Sequence, residues 1–336
     1  MVTIKDISKA CGVSPSTVSK VLNGYTDISR DTIDQVFRTA SAMGYTPNAA
    51  ARMLKTNRSN NIGVLFVDQM QSGLRHEYFS AMLNSVKDEA ERRGYDITFI
   101  SRNLGVRHMS YLDHCRYRKC DGVIIACVDF TDPDVAELVA SDIPVVTVDH
   151  VFNQRGAVLS DNVRGMEDLV TYIYEQGHRS IAFIHGELTS VTQNRLTGFF
   201  RACEKLGVSV PEEYVKLARY HDPDSSARAT RELLELKTPP TCIIYPDDFS
   251  FIGGRNCLTA AGLSIPEDMS VAGYDGIYLS QVMRPALTTL QQDTDTLGRR
   301  SAEMVIDAIE NRRTYLPSQE LIPGRLLPGG TVKKLP

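Results

Sequence analysis

The chain has 336 residues, of which 42% are hydrophobic and 23% charged, as in an ordinary soluble globular protein. This length predicts about two or three domains. No apolar run approaches the roughly 18–20 residues that cross a bilayer, and the N-terminus has no apolar core of a secretory signal. Seven scattered cysteines without a C-x-x-C pair argue against a disulfide framework. We therefore expect a cytoplasmic protein, not a membrane, secreted or disordered one.

The net charge of −4 conceals an asymmetry along the chain. Residues 1–60 carry eight Lys and Arg against four Asp, a net charge of +4, so the remainder carries −8. A small basic head on a larger acidic body indicates that the head meets a polyanion. Chance segregation of surface charge is the alternative on this evidence alone.

Residues 1–46 predict a helix-turn-helix domain. Thr3 can cap a short helix over 4–10, and its inward residues are predicted to be Ile4, Ile7 and Ala10. Gly12 supplies a turn, after which Ser14 and Pro15 form the N-cap and first residue of a second helix. The apolar stripe of that helix comprises Val18, Val21 and Leu22, and Asn23-Gly24 ends it.

The polar face of the second helix carries Ser16, Thr17 and Lys20. Such a helix suits the major groove, where hydroxyls meet base edges or phosphates and lysine reaches guanine. A third helix over 30–43 is predicted to cover the pair through Ile33, Val36, Phe37 and Ala40. A generic three-helix unit remains the alternative to a DNA-binding head.

Residues 47–60 predict a hinge. The stretch NAAARMLK (48–55) is helix-prone but only about two turns long, so it is marginal by itself. Met53 and Leu54 lie between Arg52 and Lys55, which is typical of a minor-groove wedge whose flanking cations hold phosphates. A simple linker is the alternative.

The strings TIKDISKACGVSPSTVSKVLNG, GYTPNAAARMLK and IGVL closely resemble the head and hinge of LacI/GalR-type bacterial transcription regulators. The resemblance spans essentially the whole chain. It implies a homodimer, possible higher assembly, and a pseudo-palindromic double-stranded DNA operator. It implies DNA contacts by the following residues: Thr3, Pro15, Ser16, Thr17, Ser19, Lys20, Asn23 and Leu54. The wedge hypothesis adds Met53 and Lys55.

Residues 61–336 predict two doubly wound parallel α/β subdomains. Apolar runs alternate with helical stretches, at 62–67, 97–100, 122–128, 145–148, 181–184, 242–245 and 270–274. We expect one subdomain over about 61–158 plus 292–318 and the other over about 159–291 plus 319–336. The fold class is therefore α/β with an all-α N-terminal head and hinge helix.

Ionisable side chains follow these runs, which predicts a polar cleft because parallel sheets bind ligands at the carboxyl ends of their strands. They are Asp68, Asp129, Asp149, His150, His185, Asp247, Asp248 and Asp275. The family's body is a periplasmic-sugar-binding-protein fold, and the resemblance implies effector contacts by Tyr78, Phe79, Asp149, His150, Arg195, Asp247, Asp275 and Gln291. Carboxylates, a guanidinium and aromatic faces suit a sugar or sugar derivative.

The chain departs from the family pattern at three places. His76-Glu77 precedes the aromatic pair where Asn-Pro is common, His150 stands where arginine is frequent, and Asp247 replaces a frequent asparagine. These departures indicate an effector that differs from simple neutral hexoses and pentoses.

Enzyme, metal and cofactor hypotheses find little support. Phosphate-loop, dinucleotide, zincin and nucleophile-elbow motifs are missing from the sequence. Asp293 begins an incomplete calcium loop, and a helix over 108–118 accounts for His108, His114, Cys115 and Cys120 better than zinc does. The leading hypothesis is a transcriptional repressor whose operator affinity a sugar-like effector controls. A solute-binding protein without DNA function is the alternative, and a sugar-acting enzyme on the same scaffold is a third.

Overall fold

The structure is a computed structural model that describes residues 2–22, 24–25, 27–46, 53, 58–67 and 73–336. The chain forms two compact units, residues 1–59 and residues 60–336. Several predicted site residues lie outside the described residues, namely Asn23, Leu54, Lys55 and Asp68. No helix in the described ranges is long and apolar enough to span a membrane.

Among the described residues of the first unit, the structure shows the helices α1 (Ile4–Cys11), α2 (Pro15–Leu22) and α3 (Arg30–Ala42). Thr3 caps α1 in a capping box with Asp6, and Ser29 caps α3. The buried core consists of Ile7, Cys11, Val18, Val21, Val36 and Ala40. The predicted second-helix stripe is therefore confirmed for its two valines, while Leu22 packs at the margin.

Two predicted core residues of the head are wrong. Ala10 is exposed, and Cys11 is buried instead, because α1 continues to residue 11 and the step from Ile7 to Cys11 keeps one face inward. Phe37 is 50% exposed, because Val36 and Ala40 already define the inward face of α3.

The second unit alternates helices and strands along its length. Its helices are α4 (Glu77–Arg92), α5 (Tyr111–Tyr117), α6 (Pro133–Ala140), α7 (Asn162–Glu175), α8 (Ser190–Lys205), α9 (Pro223–Leu234), α10 (Phe251–Ala260), α11 (Tyr278–Val282) and α12 (Thr294–Glu310). Its first strands are β1 (Asn61–Phe66), β2 (Asp96–Ile100), β3 (Asn103–Leu104), β4 (Arg107–His108), β5 (Gly122–Ala126), β6 (Val145–Val148) and β7 (Gly156–Ser160). The remaining strands are β8 (Ile181–His185), β9 (Val215–Leu217), β10 (Cys242–Ile244), β11 (Ser270–Asp275), β12 (Thr288–Gln291), β13 (Gln319–Ile322) and β14 (Arg325–Leu327).

Two six-stranded sheets organise this unit. The first has the order β13-β7-β6-β5-β1-β2 and is parallel throughout. The second has the order β14-β12-β11-β10-β8-β9 and is parallel except for β14, which runs antiparallel to β12. The inner strands are buried apolar runs with core clusters on both faces, as the sequence predicts for doubly wound parallel sheets.

The chain crosses between the two sheets after β7, after β12 and after β13. Residues 61–160 and 292–322 thus form the first half of the body, and residues 161–291 and 323–336 form the second half. The boundaries predicted at 158 and 318 are too early. Leu321 and its neighbours pair in parallel with β7, whose partner residues run from Ala157 to Ser160, so this short segment belongs to the first sheet. Its exposed edge position hides the pattern expected of a buried strand.

The predicted helix over 108–118 is also wrong at its start. Residue His108 belongs to a two-stranded hairpin, and α5 begins at Tyr111, where Ser110 caps it. His114 is buried and its Nδ1 lies 2.9 Å from the Ser101 carbonyl oxygen, so it supports the fold. Asp293, the first residue of the suspected calcium loop, caps α12 by accepting a hydrogen bond from the Thr296 N–H.

Candidate functional site: a DNA-reading helix and a cleft between two sheets

The second helix of the head is fixed by a side-chain cap. The Ser14 hydroxyl accepts a hydrogen bond from the Thr17 N–H at 3.1 Å and lies 2.7 Å from the Ser16 hydroxyl. Pro15 occupies the first helical position, as predicted. The hydroxyls of the first turn therefore form one local cluster at the start of α2.

Lys20 lies on the same helix and is exposed. Its ammonium group pairs with Asp27 at 2.6 Å, and both side chains are about half exposed. Hydrogen bonding to this ammonium lowers the pKa of Asp27, so the pair is fully ionised near neutral pH. A lysine held this way is free to exchange its carboxylate partner for a base edge or a phosphate.

A cavity of about 200 Å³ lies between the two halves of the body, at the carboxyl ends of both sheets. Its lining includes most of the predicted effector residues: Tyr78, Phe79, Asp149, Arg195, Asp247 and Asp275. Asp149 directly follows strand β6, Asp275 is the last residue of strand β11, and Arg195 lies on α8. The predicted polar cleft is thus present in the fold.

Arg195 is 3% exposed and is held by partners inside the second half. Its Nε donates to the Asn162 side-chain oxygen at 2.8 Å and its Nη1 donates to the Pro246 carbonyl at 2.8 Å. Its Nη2 lies 3.6 Å from the Asp275 carboxylate, and the guanidinium stacks 3.6 Å from the centre of the Tyr274 ring. This network holds a positive charge rigidly beside the cavity.

Asp149 from the first half and Asp275 from the second half both line the cleft and are poorly solvated. Burial raises the pKa of Asp275 well above its ordinary value, although the Arg195 guanidinium opposes the change. Burial also raises the pKa of Asp149, whose Oδ1 accepts the Ser160 N–H at 2.7 Å. Hydroxyl donors from a ligand would restore the hydrogen bonds that these carboxylates lose on burial.

Asp247 has a structural task. Its carboxylate accepts hydrogen bonds from the Ser250 N–H at 2.7 Å, the Ser250 hydroxyl at 2.7 Å and the His221 N–H at 2.9 Å. These bonds fix the start of α10 and hold His221 in a left-handed conformation with φ 56°. Asp247 therefore shapes the cleft by anchoring His221 as well as by lining it.

Aromatic rings from both halves meet in the cleft. His76 stacks on His221 at 4.1 Å between ring centres, and His221 stacks on Phe249 at 4.0 Å. Phe79 lies 4.8 Å from both His76 and Tyr78 in edge contacts. The His76–His221 stack joins the two halves, as does the hydrogen bond from the Ser190 hydroxyl to the Asp149 carbonyl at 2.9 Å.

Two predicted contacts are corrected by the structure. Gln291 does not line the cavity, and its side chain accepts a hydrogen bond from Arg325, whereas the next residue, Gln292, lines it and donates to Asp275 at 2.6 Å. Neighbouring residues at a strand end face opposite sides, so a shift of one residue moves the contact out of the cleft. His150 stacks behind Phe130 at 4.1 Å and supports that lining ring.

Several lining residues escaped the sequence analysis as effector contacts. They are His76, Phe130, Glu187, Tyr220, His221 and Gln292. Glu187 follows β8 by two residues, so the strand-end rule that singled out His185 could have found it. Tyr220 and His221 follow the short edge strand β9, which the apolar pattern does not reveal.

Comparison with known proteins decides the family. Residues 3–48 match the model of the bacterial regulatory proteins of the lacI family, and residues 170–332 match a periplasmic binding protein-like domain. The HTH-type transcriptional repressor PurR of Escherichia coli O139:H28 is 31% identical over 329 residues, covering 96% of this chain and 95% of the relative. PurR of Haemophilus influenzae is 31% identical over 317 residues, covering 93% of this chain and 92% of the relative.

The chain belongs to the LacI family. The predicted family is therefore confirmed, and the chain is a DNA-binding transcriptional repressor with a ligand-binding body, not an enzyme. The family models match the helix-turn-helix head and residues 170–332 of the body.

Solved structures confirm the predicted fold class. The lac repressor dimer bound to operator and the anti-inducer ONPF shares 24% identity at a TM-score of 0.77, covering 99% of both chains. The complex of the transcriptional regulator CelR with cellobiose shares 24% identity at a TM-score of 0.73, covering 98% of this chain and 100% of that one. A LacI family transcriptional regulator from Enterococcus faecium with bound ribose shares 25% identity at a TM-score of 0.70, covering 82% of this chain and 100% of that one.

Proposed function

We propose that this protein is a homodimeric, cytoplasmic repressor that binds a pseudo-palindromic operator and changes its operator affinity when a small sugar-like effector occupies the cleft. The observation that carries the proposal is the convergence of side chains from both halves on one cavity. Tyr78 and Asp149 come from the first half, while Arg195 and Asp275 come from the second. A ligand that bonds to both halves stabilises one closure of the body over others.

The DNA side of the proposal rests on the head. Ser16, Thr17 and Lys20 lie on the outward side of α2, in line with a helix placed in the major groove. Thr3, Pro15, Ser19 and Asn23 belong to the same proposed interface by resemblance to the family. The hinge adds Leu54 by the same resemblance, and Met53 and Lys55 as parts of a minor-groove wedge. Phosphate contacts by Lys and Arg predict that affinity falls steeply with salt.

Coupling between the cleft and DNA follows from the contacts that bridge the two halves. The Tyr278 N–H donates to the Glu77 carboxylate, and the Ser190 hydroxyl donates to the Asp149 carbonyl. A ligand that strengthens or breaks these contacts changes how the halves close. We propose that residues 47–60 transmit this change to the operator, with a coupling of about 1–3 kcal/mol.

Two assays on the purified full chain test the proposal. Selection from a randomised duplex library should recover a pseudo-palindrome, and sedimentation should show a dimer. A library of sugars and sugar derivatives should contain members that raise the melting temperature and also shift operator affinity. A chain that selects no sequence, or whose stabilising ligands leave operator affinity unchanged, would contradict it.

Family membership identifies the chain as a DNA-binding repressor, so the alternative of a solute-binding protein without DNA function is rejected.

A further inference from the structure

Two cysteines meet where helix α5 ends. The Cys120 N–H donates to the Cys115 carbonyl at 2.9 Å, and Lys119 before it has a φ of 52°. This is the six-residue hydrogen bond of a Schellman motif, in which the side chains of the first and last residues commonly touch. Cys115 is fully buried, Cys120 is 8% exposed, and both are free thiols. The end of this helix therefore places two thiols side by side.

The two thiols are not equivalent. Cys115 donates a hydrogen bond to the Cys120 sulfur, which raises the pKa of Cys115 and lowers the pKa of Cys120. The Asn61 amide is a second donor, with its Nδ2 3.7 Å from the Cys120 Sγ. An apolar contact needs no such donors. Cys120 combines the greater thiolate character with the greater exposure, and these two properties set the reactivity of a cysteine toward oxidants.

The turn that carries Cys120 also holds the residues at which the chain enters the body. The Asp121 carboxylate accepts the Asn60 N–H at 2.7 Å, and the Asp121 N–H donates to the Asn61 carbonyl at 2.8 Å. The Asn61 side chain donates to the Arg118 carbonyl at 3.2 Å as well as to the Cys120 sulfur. Asn60 is the last residue of the predicted hinge, and Asn61 begins β1. A change at Cys120 therefore reaches the point where the hinge joins the body.

We propose that Cys115 and Cys120 form a reversible disulfide in response to hydroperoxides, and that this bond weakens operator binding by disturbing the anchor of the hinge at Asn60 and Asn61. A disulfide has an S–S length of about 2 Å, shorter than any contact between two thiols, so the bond draws Cys120 towards Cys115. Its neutral sulfur is also a weaker acceptor than a thiolate, which weakens the hydrogen bond from Asn61. The inference needs no ligand in the cleft and thus goes beyond the proposed effector function.

The reaction proceeds in two steps. The Cys120 thiolate attacks one oxygen of hydrogen peroxide, so that an S–O bond forms, the O–O bond breaks, and hydroxide leaves and takes up a proton as water. The Cys115 sulfur then attacks the sulfur of the resulting sulfenic acid. The S–S bond forms, the S–O bond breaks, and the Cys115 proton leaves with the hydroxide as a second water. The two thiols lose two electrons, which the peroxide gains, and a dithiol reductant reverses the change.

Peptide mapping tests whether the bond forms. The purified full chain is reduced, treated with hydrogen peroxide, blocked with N-ethylmaleimide and digested with trypsin. Cleavage after Arg116, Arg118 and Lys119 puts the two cysteines of the pair on separate peptides, which stay joined only through a disulfide. Cys127 shares a peptide with Cys120, so fragmentation in the mass spectrometer locates the bond. We expect the joined peptides after treatment and their separation by dithiothreitol.

Operator affinity is measured on the same samples with the duplex that the randomised library yields. Oxidation should lower this affinity by about fivefold or more, the lower end of ordinary coupling between distant sites, and dithiothreitol should restore it.

Cys115→Ala removes the second thiol and leaves Cys120 and Asn61 in place. Its operator affinity should equal that of the reduced parent and should not respond to peroxide, while dimedone should trap a sulfenic acid at Cys120. Cys120→Ser keeps an acceptor for Asn61 and serves as a second variant, equally insensitive to peroxide, should Cys115→Ala fail to fold. Cys257→Ser is the matched control, because Cys257 is partly exposed and lies on α10. It should leave both the bond and the response unchanged.

The outcomes separate this inference from the proposed function. If peroxide joins no peptides through Cys115 and Cys120, or oxidises Cys127 and Cys257 while this pair stays reduced, the modification site is wrong. A joined pair with unchanged operator affinity would overturn its effect on DNA. Both results leave the effector function intact wherever sugars still shift operator affinity. A chain that selects no duplex would contradict the proposed function and the effect on DNA, whereas the peptides would still decide whether the bond forms.

Discussion

The DNA-reading face of the head and the ligand cleft of the body are built in opposite ways. In the head, Ser16 and Lys20 are exposed, and their partners lie within a few residues along the chain. In the body, Arg195 and Asp275 are buried and are held by partners from distant segments. The proposed binding residues of the head are thus nearly independent of folding, whereas those proposed for the cleft also stabilise the structure.

We expect the largest effect from Arg195→Ala. Loss of the guanidinium leaves Asp275 without its ion pair, so we expect the free energy of unfolding of the body to fall by about 3–5 kcal/mol. Effector affinity should fall at least a hundredfold, while operator binding without effector persists at temperatures where the variant is folded. Urea denaturation and calorimetry measure both effects. Arg201→Ala, on the exposed side of α8, is the control. Equal stability of the two variants would contradict the view that Arg195 stabilises the body.

Lys20→Ala should act on binding alone. We expect operator affinity to fall by about 1–3 kcal/mol and base preference to relax at one position, because a lysine can reach guanine in the major groove. The melting temperature should stay unchanged, since the pair with Asp27 is exposed. Selection from a randomised site and thermal denaturation check this. Asp27→Asn, which frees the lysine, should not weaken binding, and unaltered base selectivity in Lys20→Ala would refute the readout role.

A pH dependence is expected in the body through Asp248. Burial raises the pKa of this carboxyl to about 7, although hydrogen bonds from Thr289 and the Ile277 N–H oppose the change. The folded state therefore binds a proton more tightly than the unfolded state. This contribution to stability is fully present below the ordinary pKa of 3.8 and is lost as pH rises from there through about 7. The stability of Asp248→Asn relative to that of the parent should therefore increase by about 2–3 kcal/mol between pH 5 and pH 8. Denaturation at several pH values measures it. Asp88 is exposed, so the stability of Asp88→Asn should change with pH in the same way as that of the parent.

The smallest effect distinguishes two adjacent glutamines. Gln292→Ala removes a donor to Asp275, so we expect a loss of about 1 kcal/mol in stability and a weaker response to effector. Gln291→Ala removes a surface contact with Arg325 and should change neither by more than a few tenths of a kcal/mol. The two variants are compared by denaturation and by calorimetry. If Gln291→Ala has the larger effect, the strand register assigned to the cleft is wrong.

Local sequence predicted the head and most strands of the body. Caps such as Thr3 and Ser14, and the stripe of Val18 and Val21, depend on residues a few positions apart. The same logic failed for Phe37, because apolar character alone does not say which side of α3 faces inward. It also missed His221, which reaches the cleft from a loop after a short edge strand and is held there by Asp247.

The sequence by itself determined the three-helix head and the alternation of strands and helices, because capping, periodicity and strand-end polarity are properties of neighbouring residues. It indicated the family through the resemblance of its head and hinge motifs. The tertiary structure decided that Gln292 rather than Gln291 enters the cleft, that Asp247 anchors His221, and that residues 319–322 join the first sheet. Each of these depends on strand register or on packing between segments far apart in the chain, and such pairings are settled by the folded whole.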